Sequence, residues 1–396
     1  MTVSALVSEG LELGRTTGRT PAATRYCVGL LICLSAMVAV LASASITPWS
    51  ANGTVLAMAR SGQTVYIGGT FTTVGPPTGS GMAVSAASGE PIGSSPRIAG
   101  FVYAVVPDGV GGWYVGGAIT GIAGRPCGNL AHVLRDGSVE AWSPVLDGPV
   151  LALSRSGHVL YVGGYFHSAN GKSREMVAAF DMCTGRLTPW APQANGLVRA
   201  LLAHRGSVFI GGDFTLIGSA DRSHLAKVTA DSGRVEPWVC DANSAVAAFA
   251  LSNDTLYVGG YFSSLQATTR ELIGAVNAGT GALLGFDPVG IPEPPLETSL
   301  ELSRVAALAI SGGSLYVGGH FIGMGGQARI GLAEVDRVTG AATAWAPALG
   351  PCYEGWPTPT VRTLAVLGAG LFVGGNFSTM DDLEQDYAAR FDLRDG

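Results

Sequence analysis

The 396-residue sequence predicts an all-β chain, a seven-bladed β-propeller of four-stranded antiparallel blades, and three observations predict it. An apolar segment ending in Gly-Gly recurs seven times, as in VYIGGTF, LYVGGYF and LFVGGNF. A Val-x-Ala segment precedes six of the seven copies and Val-x-Thr the last, and a segment closing on Trp or Phe follows most of them, in step. The 58 glycines and the low charge (13% of residues) suit many short strands joined by tight turns.

The doublets fall at Gly68-Gly69, Gly116-Gly117, Gly163-Gly164, Gly211-Gly212, Gly259-Gly260, Gly318-Gly319 and Gly374-Gly375, at intervals of 48, 47, 48, 48, 59 and 56 residues. The two long intervals hold Pro-rich insertions, Ile291 to Leu300 and Pro351 to Pro359. Before each doublet stands a strand with Val and a small residue two positions on, as in Val198 and Ala200 or Val361 and Thr363. Small residues belong there because neighbouring units converge at the axis. The doublet itself permits close backbone approach where the second strand leaves the sheet. A third strand closes in a polar turn, Phe180-Asp181-Met182-Cys183-Thr184-Gly185 or Val335-Asp336-Arg337-Val338-Thr339-Gly340. There the Asp side chain bonds nearby backbone and Gly takes a positive φ. A fourth strand ends at Trp142, Trp190, Trp238 or Trp345, or at Phe286. Pro144, Pro192, Pro288 and Pro347 stop four of these five. Units of this length with four strands fit a propeller better than a solenoid.

Residues 1–44 are expected to be a signal peptide and residues 45–396 the propeller. Arg15, Arg19 and Arg25 precede the apolar run Tyr26 to Leu41, and Ala42-Ser43-Ala44 offers a small-x-small cleavage site. The seventh repeat stops at its turn, Phe391 to Gly396, and the missing fourth strand has a match in Ile46-Thr47-Pro48-Trp49, which resembles Leu187-Thr188-Pro189-Trp190. An N-terminal strand joining the last blade would close the ring and remove an open edge. These features together predict a secreted or cell-surface monomer without a stable membrane span.

The unit V-x-A-L…LYVGG-x-F…AAFD-x-x-TG-x-L-T-P-W closely resembles the bacterial delta-60 β-propeller repeat over residues 45–396. It is also similar to kelch propellers, which end the second strand in Gly-Gly and place a Trp after an aromatic-Asp turn. The resemblance implies the propeller fold and, for delta-60-type proteins, export. It implies no common activity, and the kelch group includes both binding scaffolds and a class of copper oxidase. The tyrosine, cysteine and paired histidines of that oxidase have no matching set here. The Asp-x-x-Thr-Gly turn also looks like the repeat of quinone-dependent propellers. However, four residues stand between Gly185 and Trp190 where that family has three.

Catalytic signatures are missing: there is no G-x-S-x-G, H-E-x-x-H or G-x-x-x-x-G-K, and no CxxC spacing suggests a metal site. A net charge of −6 with no basic stripe excludes a nucleic-acid backbone as partner. Of the six cysteines, Cys127, Cys183, Cys240 and Cys352 follow residue 44, and at most one disulfide is expected among them. The histidines occupy mostly unrelated repeat positions and read as solvated or capping. Asp381, Asp382, Glu384 and Asp386 read as a solvated acidic loop.

Function is therefore expected on loops and at the channel mouth of a rigid frame. The residue after each doublet varies while its surroundings stay constant: Thr70, Ala118, Tyr165, Asp213, Tyr261, His320 and Asn376. Tyr165, Asp213, Tyr261, His320 and Asn376 are candidate binding residues at one geometric position, with strand ends of no function as the plainer alternative. Tyr353 and Trp356, aromatic without a packing role in the repeat, add a contact surface on the second insertion. The chain reads as an exported, non-enzymatic binding or scaffold module for an extracellular protein or glycan, with no cofactor and no metal. The alternative is an extracellular polysaccharide hydrolase or lyase using carboxylates such as Asp213, which would need a second carboxyl roughly 5–9.5 Å away.

Overall fold

The computed structural model describes residues 51–74, 79–293, 303–351, 358–381 and 383–393. Seven repeat units each form a principal antiparallel sheet with the second strand in the middle. In the fourth unit these strands are Val198–His204, Ser207–Gly212 and Leu225–Thr229. The seventh consists of Thr360–Leu367, Gly370–Asn376 and Ala388–Asp392. Strand alternation buries Val, Ile and aromatic side chains on both faces of the middle strand, because each sheet is packed between two others. Small two-stranded ribbons, such as Ser168–Ala169 with Lys172–Ser173, connect the second and third strands of units 3 to 6.

The expected propeller of four-stranded blades is corrected by this arrangement. The chain is all-β, but it is built of separate antiparallel sheets of two to four strands, and none of these sheets closes into a barrel or propeller. The expected fourth strand is reduced to single bridges, Phe180–Leu187, Val228–Val235, Val276–Leu283 and Val335–Ala342. The reason lies in the Trp-Pro ending. Trp190 leaves its own sheet and donates Nε1–H to the Thr229 carbonyl of the next unit at 3.0 Å, as Trp142 does to Gly185 (2.8 Å) and Trp238 to Asn277 (3.2 Å). A segment committed to its neighbour after four residues has no length left for a ladder. The N-terminal strand expected to complete the last unit lies outside the described residues, as does the signal segment 1–44.

Side chains hold the sheets together where hydrogen bonds do not. The first strands stand in chain order, each packed on the next, and Thr360–Leu367 packs on Val55–Ser61. Each hydrophobic cluster spans two units: Tyr161, Val177 and Ala179 of the third meet Val198, Ile210 and Phe214 of the fourth. The glycine doublets make this packing possible in two ways. A Cβ on the first glycine would lie 2.1–2.7 Å from a valine Cγ1 of the adjoining sheet, Val246 for Gly211 and Val55 for Gly374. A Cβ on the second would lie 1.9–2.2 Å from a carbonyl oxygen in, or one residue before, the unit's own first strand. Only the second role is the close backbone approach that the sequence suggests.

The Asp turns form as expected, with Gly185 at φ +69° and Gly340 at φ +79°. Asp336 Oδ1 accepts from Thr339 N (2.7 Å), Thr339 Oγ1 (2.9 Å) and Val338 N (3.0 Å). The backbone N–H of Thr339, then its hydroxyl, hold the Asp336 carboxyl below its ordinary pKa, and Asp181 is lowered in the same way by Thr184. A carboxylate lowered on folding contributes stability above its unfolded pKa, near 3.9, and loses it as pH falls through the folded value. Asn277 fills the equivalent turn with the same bonds, to Thr280 N (2.8 Å) and Gly279 N (3.0 Å). Asp336→Asn is therefore expected to leave the melting temperature at pH 7 nearly unchanged and to reduce the loss of stability below about pH 4. Thermal melts from pH 2 to 7 check this, and parallel acid limbs for the two proteins would count against it.

Candidate functional site: a cavity lined by bulge residues

Every first strand carries a β-bulge at the same place. In the fourth unit Val198 pairs with Gly212 and Ala200 with Gly211, so Arg199 has no partner across the ladder. The same shift falls between Val55 and Ala57, Val102 and Ala104, Val150 and Ala152, Val246 and Ala248, Val305 and Ala307, and Val361 and Thr363. A bulge re-aims the extra side chain. Here all the re-aimed residues, Leu56, Tyr103, Leu151, Arg199, Ala247, Ala306 and Arg362, line one cavity of about 270 Å³ between the first strands. Its other lining residues are the small or apolar neighbours of these positions, and among the described residues no carboxylate joins them.

The residues following the doublets border this cavity in part. Asp213 Oδ2 accepts from Arg199 Nε at 2.8 Å, with both side chains about one-third exposed. The Tyr261 ring lies 5.6 Å from the Arg199 guanidinium carbon and 5.6 Å from that of Arg304. His320 is buried, and its Nε2 lies 2.5 Å from Glu293 Oε2. The structure thus joins Asp213, Tyr261 and, through buried Arg304, the strand pair that carries His320. Asn376 is paired in register with Thr360. Tyr165 is 49% exposed, and its ring is 5.7 Å from His167. Tyr353 and Trp356 lie outside the described residues.

Sequence reasoning missed Arg199 and Arg362. Their signal was present as the variable residue inside Val-x-Ala, but nothing in alternation alone marks a bulge. It also missed Phe101, which is 47% exposed at the end of a first strand, with its ring 6.4 Å from Tyr103. Phe101 pairs with Ala118, so it sits at the same end of its sheet as Tyr165 does in the next.

The histidines are less uniform than expected. His132 is buried, stacked on Tyr114 (centroids 4.1 Å apart), with Nδ1 2.7 Å from Glu140 and Nε2 3.1 Å from Asp108. This cluster braces one sheet from within. Cys127, Cys183 and Cys240 are unbridged, and Cys183 Sγ lies 3.2 Å from His158 Nδ1. Among the described residues no group of three or more His, Cys, Asp or Glu could hold a metal ion, and no helix is long and apolar enough to cross a membrane.

Fold and cavity define a repeat protein of small β-sheets around a central opening, and solved structures of that kind resemble it. The chain is similar to the WD40 β-propeller domain of Doa1 (TM-score 0.57, 13% identity, 88% of this chain and 96% of that one). It is also similar to U3-55K (TM-score 0.58, 11% identity, 89% and 99%) and to the computationally designed Ika8 protein (TM-score 0.54, 15% identity, 88% and 99%). At such identities the likeness concerns the fold alone. No family model matches the chain, and no curated protein does. Of the expected resemblance, the comparisons support the coarser part, a weak structural likeness to WD40 β-propeller proteins; they bring no specific evidence for the delta-60 or kelch repeat and do not bear on export.

Proposed function

We propose that this chain is a non-catalytic binding module that docks a glycan on the face where the first strands begin and the second strands end. The observation that carries this reading is the exposed aromatic rim beside a polar cavity: Phe101 and Tyr165 are each about half exposed, and Tyr103 lines the cavity wall. Flat rings left open to water suit stacking against sugar faces, and fixed polar groups between them set orientation. A protein ligand would use the same aromatic anchors. The hydrolase alternative needs two facing carboxyls, whereas the cavity lining has none among the described residues and Asp213 is engaged by Arg199.

The test is a glycan array with the whole chain and with Phe101→Ser/Tyr165→Ser. Both side chains are exposed enough for the fold to tolerate the change, which circular dichroism confirms. The expected result is loss of at least about tenfold in affinity for the retained glycans, or about 1.4 kcal/mol. An unchanged profile from the double variant would remove the rim from the site.

A further inference from the structure

We propose that the central cavity is a carboxylate subsite, taking a single uronate residue at the end of an acidic glycan, with Arg199 as the group that grips it. This rests on the glycan reading above and names the ligand class.

Arg199 is held in a way that leaves its fork available. Its Nε is tethered to Asp213 at 2.8 Å, and its plane is placed near the Tyr261 ring. The side chain remains one-third exposed, and the bulge aims it into the cavity. Among the described residues the hydrogen bond of this guanidinium is made through Nε. A guanidinium tethered through Nε presents two parallel N–H donors, the geometry that meets a carboxylate bidentately. Pre-organisation by Asp213 and Tyr261 removes much of the entropy that an unrestrained Arg would lose on binding.

Arg362 lines the same cavity from a first strand separated from that of Arg199 by two first strands on one side and three on the other, so the two arginines stand on facing walls. Among the described residues they are the only charged ones in the lining. The volume, about 270 Å³, falls just below the roughly 300–1,000 Å³ of sites for drug-sized ligands. It therefore suits one sugar ring rather than a stretch of polymer.

Isothermal titration of the whole chain with a hexuronate tetrasaccharide and with its neutral hexose counterpart tests this. The uronate is expected to bind at least about tenfold more tightly, with an advantage that shrinks as salt is raised. Arg199→Gln should abolish the advantage, and Arg199→Lys should restore only part of it because the fork is lost. Arg362→Gln should reduce it and serves as the second variant if Arg199→Gln does not fold. Equal binding of the two oligosaccharides, or a preference that survives Arg199→Gln, overturns the carboxylate subsite and leaves the glycan reading standing. Binding of neither oligosaccharide overturns the glycan reading and this inference with it, as does binding of an acidic peptide alone.

Discussion

Gly212→Ala is expected to be among the most damaging one-carbon additions in the molecule. One added carbon would lie 1.9 Å from the Leu197 carbonyl oxygen, 3.0 Å from its carbon and 3.0 Å from Val198 Cα. All three are backbone atoms at the entry to the adjacent strand, so no side chain can rotate away. Relief requires parting the first and second strands at the bulge. That disturbs the contact of Gly211 with Val246 one residue earlier, where a Cβ would be 2.7 Å from Cγ1. A loss of about 3 kcal/mol or more follows from overpacking at a rigid site. Gly218→Ala is the control: it lies at φ +58° with only Pro192 O near, at 3.4 Å, and should lose about 1–2 kcal/mol from the backbone alone. Denaturant melts of the two variants separate these effects, and equal losses would mean that close approach is not why the doublet recurs.

Trp190→Ala is expected to follow closely, at about 3–5 kcal/mol. The side chain is 1% exposed and meets Tyr161 edge-on with centroids 5.0 Å apart. It also donates to the Thr229 carbonyl, so truncation opens a void and removes the strap to the next unit together. Trp190→Phe should recover most of the loss, because Phe286 meets Tyr257 in the same way in the fifth unit, with centroids 5.1 Å apart. The remaining deficit, about 1 kcal/mol, is the missing hydrogen bond. Thermal or urea unfolding of both variants is the measurement, and a Phe variant as unstable as the Ala variant would contradict it.

What could be read from the sequence was whatever each unit needs for itself. The Asp-Thr-Gly turns and the three paired strands depend on local chemistry, and residue types at a constant interval reveal them. What depends on two units was harder to see. Trp190 looks like the end of a strand, but its indole N–H is committed to Thr229, and that bond stops the fourth strand from forming. Arg174, Arg222, Arg270 and Arg329 recur at nearly the same interval as the doublets, yet their meaning appears only in space. Arg174, Arg222 and Arg329 donate through Nη2 to carbonyls of Thr188, Glu236 and Thr343 at 2.8–3.0 Å, clasping the segment that leaves the sheet, and Arg270 reaches Leu284 at 3.4 Å.

The candidate site shows the same division. The varied residues after the doublets were visible as a set because their surroundings repeat, and Asp213 and Tyr261 do meet at Arg199. The cavity-facing set was hidden because a bulge breaks the alternation from which inward and outward are read. Tyr353 and Trp356 belong to an insertion with no counterpart in other units, so no register existed to place them.

The bulge has a consequence for how such a protein changes over generations. Its extra residue sits outside the ladder, while the valine and small residue beside it carry the packing. Substitution at that one position alters what the cavity presents without disturbing what the frame requires. Seven such positions behave as independent letters on a common scaffold: Leu, Tyr, Leu, Arg, Ala, Ala and Arg in this chain. Ligand preference can thus be rewritten one letter at a time, with little penalty in folding to restrain the search.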